Sequence, residues 1–274
     1  MRQAIIEVAV ARKGGGKTYI TANDKIAPYI ISTPTWKARP VLLYDVNGEY
    51  TEKHCREKLK VNWTAKTLAL KDLAEWTRQG IPEVRRILPL NAKNEFTQDT
   101  DEMEDILNTI LQTFRNGMLL IEDPNAYLVG ISSKKVISAI TRNRQKNLDL
   151  ILHLQSLRAI PPRLLANMNI FRFHKCNEAI HTIEAKLNNP ELFYIAEAII
   201  KHKFKTNIRF FLYVDNEMDL IFGAFSKKDF WIGCYLYLKE NKPDILRLAF
   251  NRFGANSEKA FKHCIAELEK YWGN

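Results

Sequence analysis

The chain has 274 residues, 46% of them hydrophobic, with 41 Lys plus Arg against 31 Asp plus Glu and a formal charge of +10. That length and hydrophobicity support one large α/β domain, or one domain with a small appendage, and exclude a chain disordered by composition. The basic excess favours a polyanionic partner, and no apolar run approaches the roughly 20 residues of a membrane span.

Residues 4–10, rich in Ile and Val, read as a buried parallel strand running into a glycine loop rather than as a cleaved leader. "KTYITANDKIAPYII" reads as the helix that follows. "RPVLLYDVNGEY" gives a second strand, 41–45, ending in Asp45 with a turn at Asn47-Gly48. "RRILPL" is a third strand closed by Pro89. Residues 99–116 form an amphipathic helix with Met103, Ile106, Leu107, Ile110, Leu111 and Phe114 on one face. "GMLLIED" is the next strand, broken at Pro124; 133–146 is a basic helix; "LDLILHLQS" and "MNIFRFHK" are further strands, with Pro161-Pro162 between them.

Strands alternating with helices predict an α/β fold with a mostly parallel, doubly wound sheet flanked by helices. After about residue 200 the pattern changes. "NIRFFLYVDNEMDLIFGAFS" predicts an antiparallel hairpin turning at Asp215-Asn216; "SKKDFWIGCYLYL" and 256–272 are helical. The expected division is a core over 1–205 and a small hairpin-and-helix extension over 206–274 packed on it. The aromatics Phe230, Trp231, Tyr235 and Tyr237 are expected in a lid rather than in a reader of single strands. Cys55, Cys176, Cys234 and Cys264 form no CxxC pair and read as reduced, buried thiols. "HKC" at 174–176 with His181 has no common zinc spacing.

The sharpest motif is "VAVARKGGGKTYI", residues 8–20. Against the phosphate-loop pattern G-x-x-x-x-G-K-[ST] the first glycine is Ala11, and Gly16, Lys17 and Thr18 match. Gly14, Gly15 and Gly16 permit backbone N–H groups to turn inward around an anion, because they lack Cβ and tolerate positive φ. The helix N-terminus after the loop adds positive partial charge. Lys17 is expected on the β- and γ-phosphates and the Thr18 hydroxyl on Mg²⁺, so ATP and Mg²⁺ are the expected ligands. The competing reading, a glycine turn followed by a chance lysine, is disfavoured by the strand–loop–helix context.

Hydrolysis needs an acid at the end of an adjacent strand. "LLIED" supplies Glu122 and Asp123, with Glu122 expected on the metal side and Asp123 to activate the attacking water. The usual order is Asp then Glu; here it is reversed, and the shorter Asp123 has less reach. Acids that merely complement a helix N-terminus are the alternative. Gln155, the polar end of an apolar strand, is expected to sense the γ-phosphate or orient water, against a solvated strand end.

Taken in order, GGGKT, "VLLYDVNGEY", "LLIED" and "LDLILHLQS" resemble the HerA/FtsK superfamily of P-loop ATPases, over roughly residues 4–225. The second piece looks like the family's strand ending in Asp followed by a Gly-Glu turn, which places Asp45 and Glu49 among the nucleotide-binding residues. The fourth looks like the strand ending in the sensor glutamine. The "RAIPPRLLANMNIFRFHK" beyond it also looks like the family's Pro-rich lead into a strand. The chain is more similar to compact viral genome-packaging ATPases than to cellular members, with phage assembly ATPases of the Zot type as relatives.

The resemblance implies a homo-oligomeric ring, usually hexameric, with ATP between subunits. It implies hydrolysis coupled to translocation of double-stranded DNA, a capsid or portal protein as docking partner, and a place in the host cytoplasm or the virion. It also implies a positive group supplied in trans, for which Arg142 and Arg144 stand where the family often carries its finger; Arg158 and Arg163 are further candidates. The competing reading for any one arginine is a solvated or DNA-facing surface.

From 131 to 175 there are nine Lys/Arg and one Asp, and from 95 to 125 eight Asp/Glu and one Arg. This asymmetry suits phosphate contacts, with Lys134, Lys135 and Lys146 as candidates, or pairing of unlike surfaces around a ring. An export ATPase of the Zot type, a nucleotide switch without efficient hydrolysis and a small-molecule kinase are the alternatives. The first usually carries a membrane span, and the last needs an arginine-rich lid.

Overall fold

The computed structural model describes residues 3–128, 133–158, 160–254 and 257–274; in the helices beginning at 133 and 257 the side chains are described from 136 and 258 onward. The chain divides into two compact units. One comprises Met1–Ala9, Gly16–Gln155 and Ala159–Met168, the other Val10–Gly15, Ser156–Arg158 and Asn169–Asn274.

The first unit alternates strand and helix. β1 (Ile6–Val10) leads through the glycine loop to α1 (Lys17–Ile20), which runs on through a π-helical turn (Thr21–Ile26) into α2 (Ala27–Tyr29). The single helix expected over these residues is thus helical to Tyr29 but wider in its middle turn. There follow β2 (Val41–Tyr44), α3 (Glu52–His54), β3 (Lys66–Thr67), α4 (Leu73–Gln79), β4 (Val84–Ile87), α5 (Thr100–Thr113), β5 (Met118–Glu122), α6 (Ser133–Ile140), β6 (Asp149–Leu154) and α7 (Pro162–Asn167). The short β3 and α4 have no counterpart in the sequence reading. The basic helix expected over 133–146 ends at Ile140 and continues as a 3₁₀ turn, Asn143–Lys146.

The strand order in this unit is β3-β4-β2-β5-β6-β1. Successive pairs from β3 to β6 are parallel, with Val41, Met118 and Asp149 level at one edge. The start of β1 lies beside the start of β6, where the Leu150 N–H donates to the Ile5 carbonyl at 2.9 Å. β1, β2, β5 and β6 are buried along their whole length, which explains their near-continuous apolar sequence.

The charged exceptions in these strands are partnered, as burial demands. Glu7 pairs with Lys25 at 2.8 Å. Asp149 accepts from the Tyr29 hydroxyl at 2.8 Å and the Ile5 N–H at 3.0 Å. α5 starts where expected, because Asp99 accepts from the N–H groups of Asp101 and Glu102. At its other end the Lys146 ammonium donates to the Leu111 carbonyl. Lys146 therefore spends a donor on a helix end, whereas the side chains of Lys134 and Lys135 lie outside the described residues.

The second unit carries β7 (Ile170–His174), α8 (Pro190–Lys203), β8 (Phe211–Asp215), β9 (Leu220–Phe222), α9 (Lys227–Asn241), α10 (Pro243–Phe253) and α11 (Ser257–Ile265). The expected hairpin is β8–β9. Asp215 Oδ1 shapes its turn by accepting from the N–H groups of Glu217 and Met218, each at 2.9 Å. β7 pairs antiparallel with β8. Between β7 and α8 the chain makes two 3₁₀ turns, Ile180–Thr182 and Glu184–Lys186.

α8 escaped the sequence reading because it is apolar nearly all round, with Leu192, Phe193, Ile195, Ala196, Ala198, Ile199 and Ile200 buried; such a helix shows no amphipathic period. α9 opens with a capping box, in which Ser226 and Asp229 satisfy each other's backbone N–H. The four cysteines are buried thiols. Among the described residues no helix is long and apolar enough to cross a membrane.

α8 and α9 approach closely at Gly233, where an added Cβ would lie 2.3 Å from Ile199 Cγ1 and 3.4 Å from the Ile195 carbonyl. Gly233→Ala is expected to destabilise the second unit by about 1–3 kcal/mol through overpacking. A thermal melt followed by circular dichroism reads this as a lower Tm, and an unchanged Tm would contradict the close packing.

Candidate active site

The glycine loop has the backbone its sequence predicts. Gly14 and Gly16 have φ of +76° and +90°, values that side-chain-bearing residues rarely adopt, and a Cβ at either would point into open space. Gly15 is constrained by crowding instead. Its N–H donates to the Arg12 carbonyl at 3.0 Å, and a Cβ there would fall 2.7 Å from that of Ala11. Ala11 is fully buried, so the departure from glycine at this position is accommodated by the missing side chain at Gly15. Gly16 precedes α1 with no side-chain cap. Lys17 and Thr18 are half-buried.

Parallel strands bring their C-terminal ends to one edge, and the acidic residues collect there. Glu122, at the end of β5, is 5% exposed. Its Oε1 accepts from the Tyr50 hydroxyl at 2.6 Å and lies 2.9 Å from His153 Nδ1. His153 Nε2 lies 2.7 Å from Thr21 Oγ1. Burial pushes the Glu122 carboxyl up, but His153, the Tyr50 hydroxyl and the Lys17 ammonium outweigh it and hold the group below the usual glutamate value. Glu122 is therefore an ionised acid within electrostatic reach of Lys17.

Asp123 has left-handed backbone, φ +41° and ψ +49°, although it precedes Pro124, and residues before proline favour extended backbone. Its Oδ2 accepts from Asn47 Nδ2 at 3.1 Å and from Gln155 Nε2 at 2.9 Å. Three strand ends, those of β2, β5 and β6, thus meet on one carboxylate.

Asp45 is placed differently. It is fully buried, and its Oδ1 accepts from the Glu49 N–H at 2.9 Å while Oδ2 accepts from the Tyr50 N–H at 3.1 Å and Arg86 at 3.0 Å. These bonds close the turn that presents Asn47 and Tyr50 to the acids. Glu49 sits close enough that partial burial and the charges of Glu122, Asp45 and Asp123 push its pKa up, with His54 opposing.

Arg142 and Arg144 are exposed and precede β6. The six residues of β6 span about 20 Å, so both arginines lie at the edge opposite Gln155. At that same edge a cavity of about 400 Å³ opens among Ile5, Tyr29, Trp36, Met118 and Asp149, and none of Asp45, Glu49, Glu122 and Asp123 lines it.

The sequence reading missed Thr21, Asn47, Tyr50 and His153. His153 was legible as the one ionisable residue in the body of "LILHL"; its meaning depends on the register that pairs Glu122 with His153.

The loop fits a triphosphate, since the two glycines with positive φ have free space where side chains would stand. The acids fit Mg²⁺, which binds through one or two carboxylates plus phosphate oxygens rather than in an all-protein cage. A cation beside Glu122 would relieve the repulsion that raises Glu49. Replacing the buried anchor, Asp45→Ala, leaves two backbone donors and a guanidinium without their acceptor. The expected loss is about 3–5 kcal/mol, read as a lower urea midpoint; a loss below about 1 kcal/mol, the worth of a surface pair, would remove Asp45 from this role.

No protein-family model matches the chain, and no curated protein matches it in sequence. Among solved structures, the genome packaging NTPase B204 of Sulfolobus turreted icosahedral virus 2 in complex with AMP is 19% identical, with a TM-score of 0.52 over 81% of this chain and 97% of that one. The same protein with ATP-γ-S gives 18% identity and the same TM-score and coverage. The DNA-packaging ATPase B204 of Sulfolobus turreted icosahedral virus gives 16% and 0.50, again over 81% and 97%. The chain therefore shares the α/β fold of viral genome-packaging NTPases, the resemblance that the order of its sequence motifs implied.

Proposed function

We propose that the chain is an ATPase that packages a viral genome, working as a homo-oligomeric ring that moves double-stranded DNA. The observation that carries the reading is the division of labour at the strand ends. One ionised, buried acid stands near Lys17, and a second acid beside it is held by amides from two other strands. The likeness in fold to packaging NTPases, one of them bound to AMP and ATP-γ-S, supports the nucleotide.

The backbone of Gly14–Gly16 and the Lys17 ammonium would bind the β- and γ-phosphates. Thr18 and Glu122 would hold Mg²⁺, which supplies charge neutralisation to the phosphate oxygens when bound. Asp123 takes both amide hydrogen bonds on Oδ2, so Oδ1 can accept the proton of the attacking water. Gln155 keeps that carboxylate oriented from β6. The reversed Glu-Asp order is then workable: the longer residue is fixed by burial and hydrogen bonds, and the shorter one is held by left-handed backbone.

Arg142 and Arg144 lie too far along β6 to act within their own protomer, which suits a finger offered to a neighbour's ATP. Their exposure, with that of Arg158 and Arg163, equally suits phosphate contacts along DNA. In a ring the acidic α5 face and the basic residues before β6 supply unlike surfaces for head-to-tail contact. A capsid or portal protein would receive the ring.

Phosphate release should be stimulated by duplex DNA and fall as salt rises. Lys17→Ala should lose nucleotide binding. Asp123→Asn should keep it while kcat falls about 10²–10⁴-fold, the range of a lost general base. Native mass measurement with nucleotide and duplex should show a ring. A chain that stays monomeric, binds neither ligand and is indifferent to Lys17→Ala would overturn the proposal.

A further inference from the structure

We infer that His153 is a positioning residue that fixes which oxygen of Glu122 faces the metal, tying the helix of the phosphate loop to the acid. The inference rests on the ATPase reading. An ionised carboxylate only accepts hydrogen bonds, so His153 Nδ1–H donates to Oε1, while Nε2 pairs with the Thr21 hydroxyl. One chain of hydrogen bonds thus links Thr21, His153 and Glu122.

The Tyr50 hydroxyl donates to the same Oε1. Two donors therefore converge on Oε1, and Oε2 takes neither. The rotation of the carboxylate is set from two directions, by β6 and by the turn after β2. All three supporting side chains are fully buried, so water does not compete for these bonds. Thr21 opens the π-helical turn that continues from α1, and α1 begins at Lys17. A shift of the phosphate loop's helix would be felt at Glu122 through one imidazole.

An ordinary core histidine would also find two partners. The distinction lies in what each nitrogen does, and two substitutions separate them. The amide nitrogen of His153→Asn stands near the place of Nδ1 and keeps a donor for Glu122. That of His153→Gln reaches toward Nε2 and keeps the link to Thr21 instead. Both shorten or unring the side chain in the same buried site, so packing losses are comparable.

The measurement is Mn²⁺ affinity by electron paramagnetic resonance with ATP-γ-S bound, alongside nucleotide affinity in EDTA and Tm. His153→Gln should weaken Mn²⁺ binding about 10–100-fold, the cost of losing a supporting partner of a metal ligand. His153→Asn should stay close to wild type. Nucleotide affinity in EDTA should be unchanged in both. Tyr50→Phe, which removes one hydroxyl and little volume, should weaken Mn²⁺ binding in the same direction and carries the test if His153→Gln does not fold.

Equal losses in the two His153 variants, or losses that follow Tm, would overturn the positioning role while leaving the ATPase reading standing. A wild-type chain that binds no nucleotide and no Mn²⁺ would overturn both.

Discussion

A carboxylate sealed inside a sheet stays ionised only if donors replace the water it has lost. Glu122 meets that condition, and much of the neighbouring architecture follows from it. Tyr50 must be delivered by the turn after β2, so Asp45 is buried to close that turn and Arg86 is drawn in to offset the burial of Asp45. His153 must interrupt an otherwise apolar strand, so Thr21 is buried to satisfy its far nitrogen. Each polar group admitted to the interior requires another, and the series ends at Lys17, the residue that would meet the phosphates.

Asp123 illustrates the opposite solution. It stands one residue further on, half out of the sheet, and its position is secured by backbone conformation and two amides rather than by burial. Two adjacent acids thus occupy different environments, one dry and fixed, one wetter and aimed. Such a pair separates the tasks of holding a cation and handling a proton.

What the sequence revealed depended on range. The glycine loop, the strand before it, α5 with its Asp99 cap and the Asp215 turn were legible because each is specified by residues within a few positions of one another. Glu122, Asp123 and Gln155 were legible because polar residues ending apolar runs mark the edge of a parallel sheet. The motif puts Asp45 among the nucleotide residues; its hydrogen bonds go to its own turn and to Arg86 on β4, 41 residues away. His153 and Thr21 acquire meaning only once strand register is known, and register is a long-range property. α8 lacked a pattern to read because packing on all sides erases the periodicity that exposes a helix, and the antiparallel pairing of β7 with β8, with α8 between them in sequence, has no local signal.

The crowding between Ala11 and Gly15 bears on the history of such loops. With a methyl group at position 11 and the Arg12 carbonyl 3.0 Å from where a Cβ would stand, position 15 must remain bare. The two positions are coupled: a side chain at 15 would press on the Ala11 methyl group at 2.7 Å. A small residue at the entrance of a phosphate loop thereby records which of its neighbours can still vary.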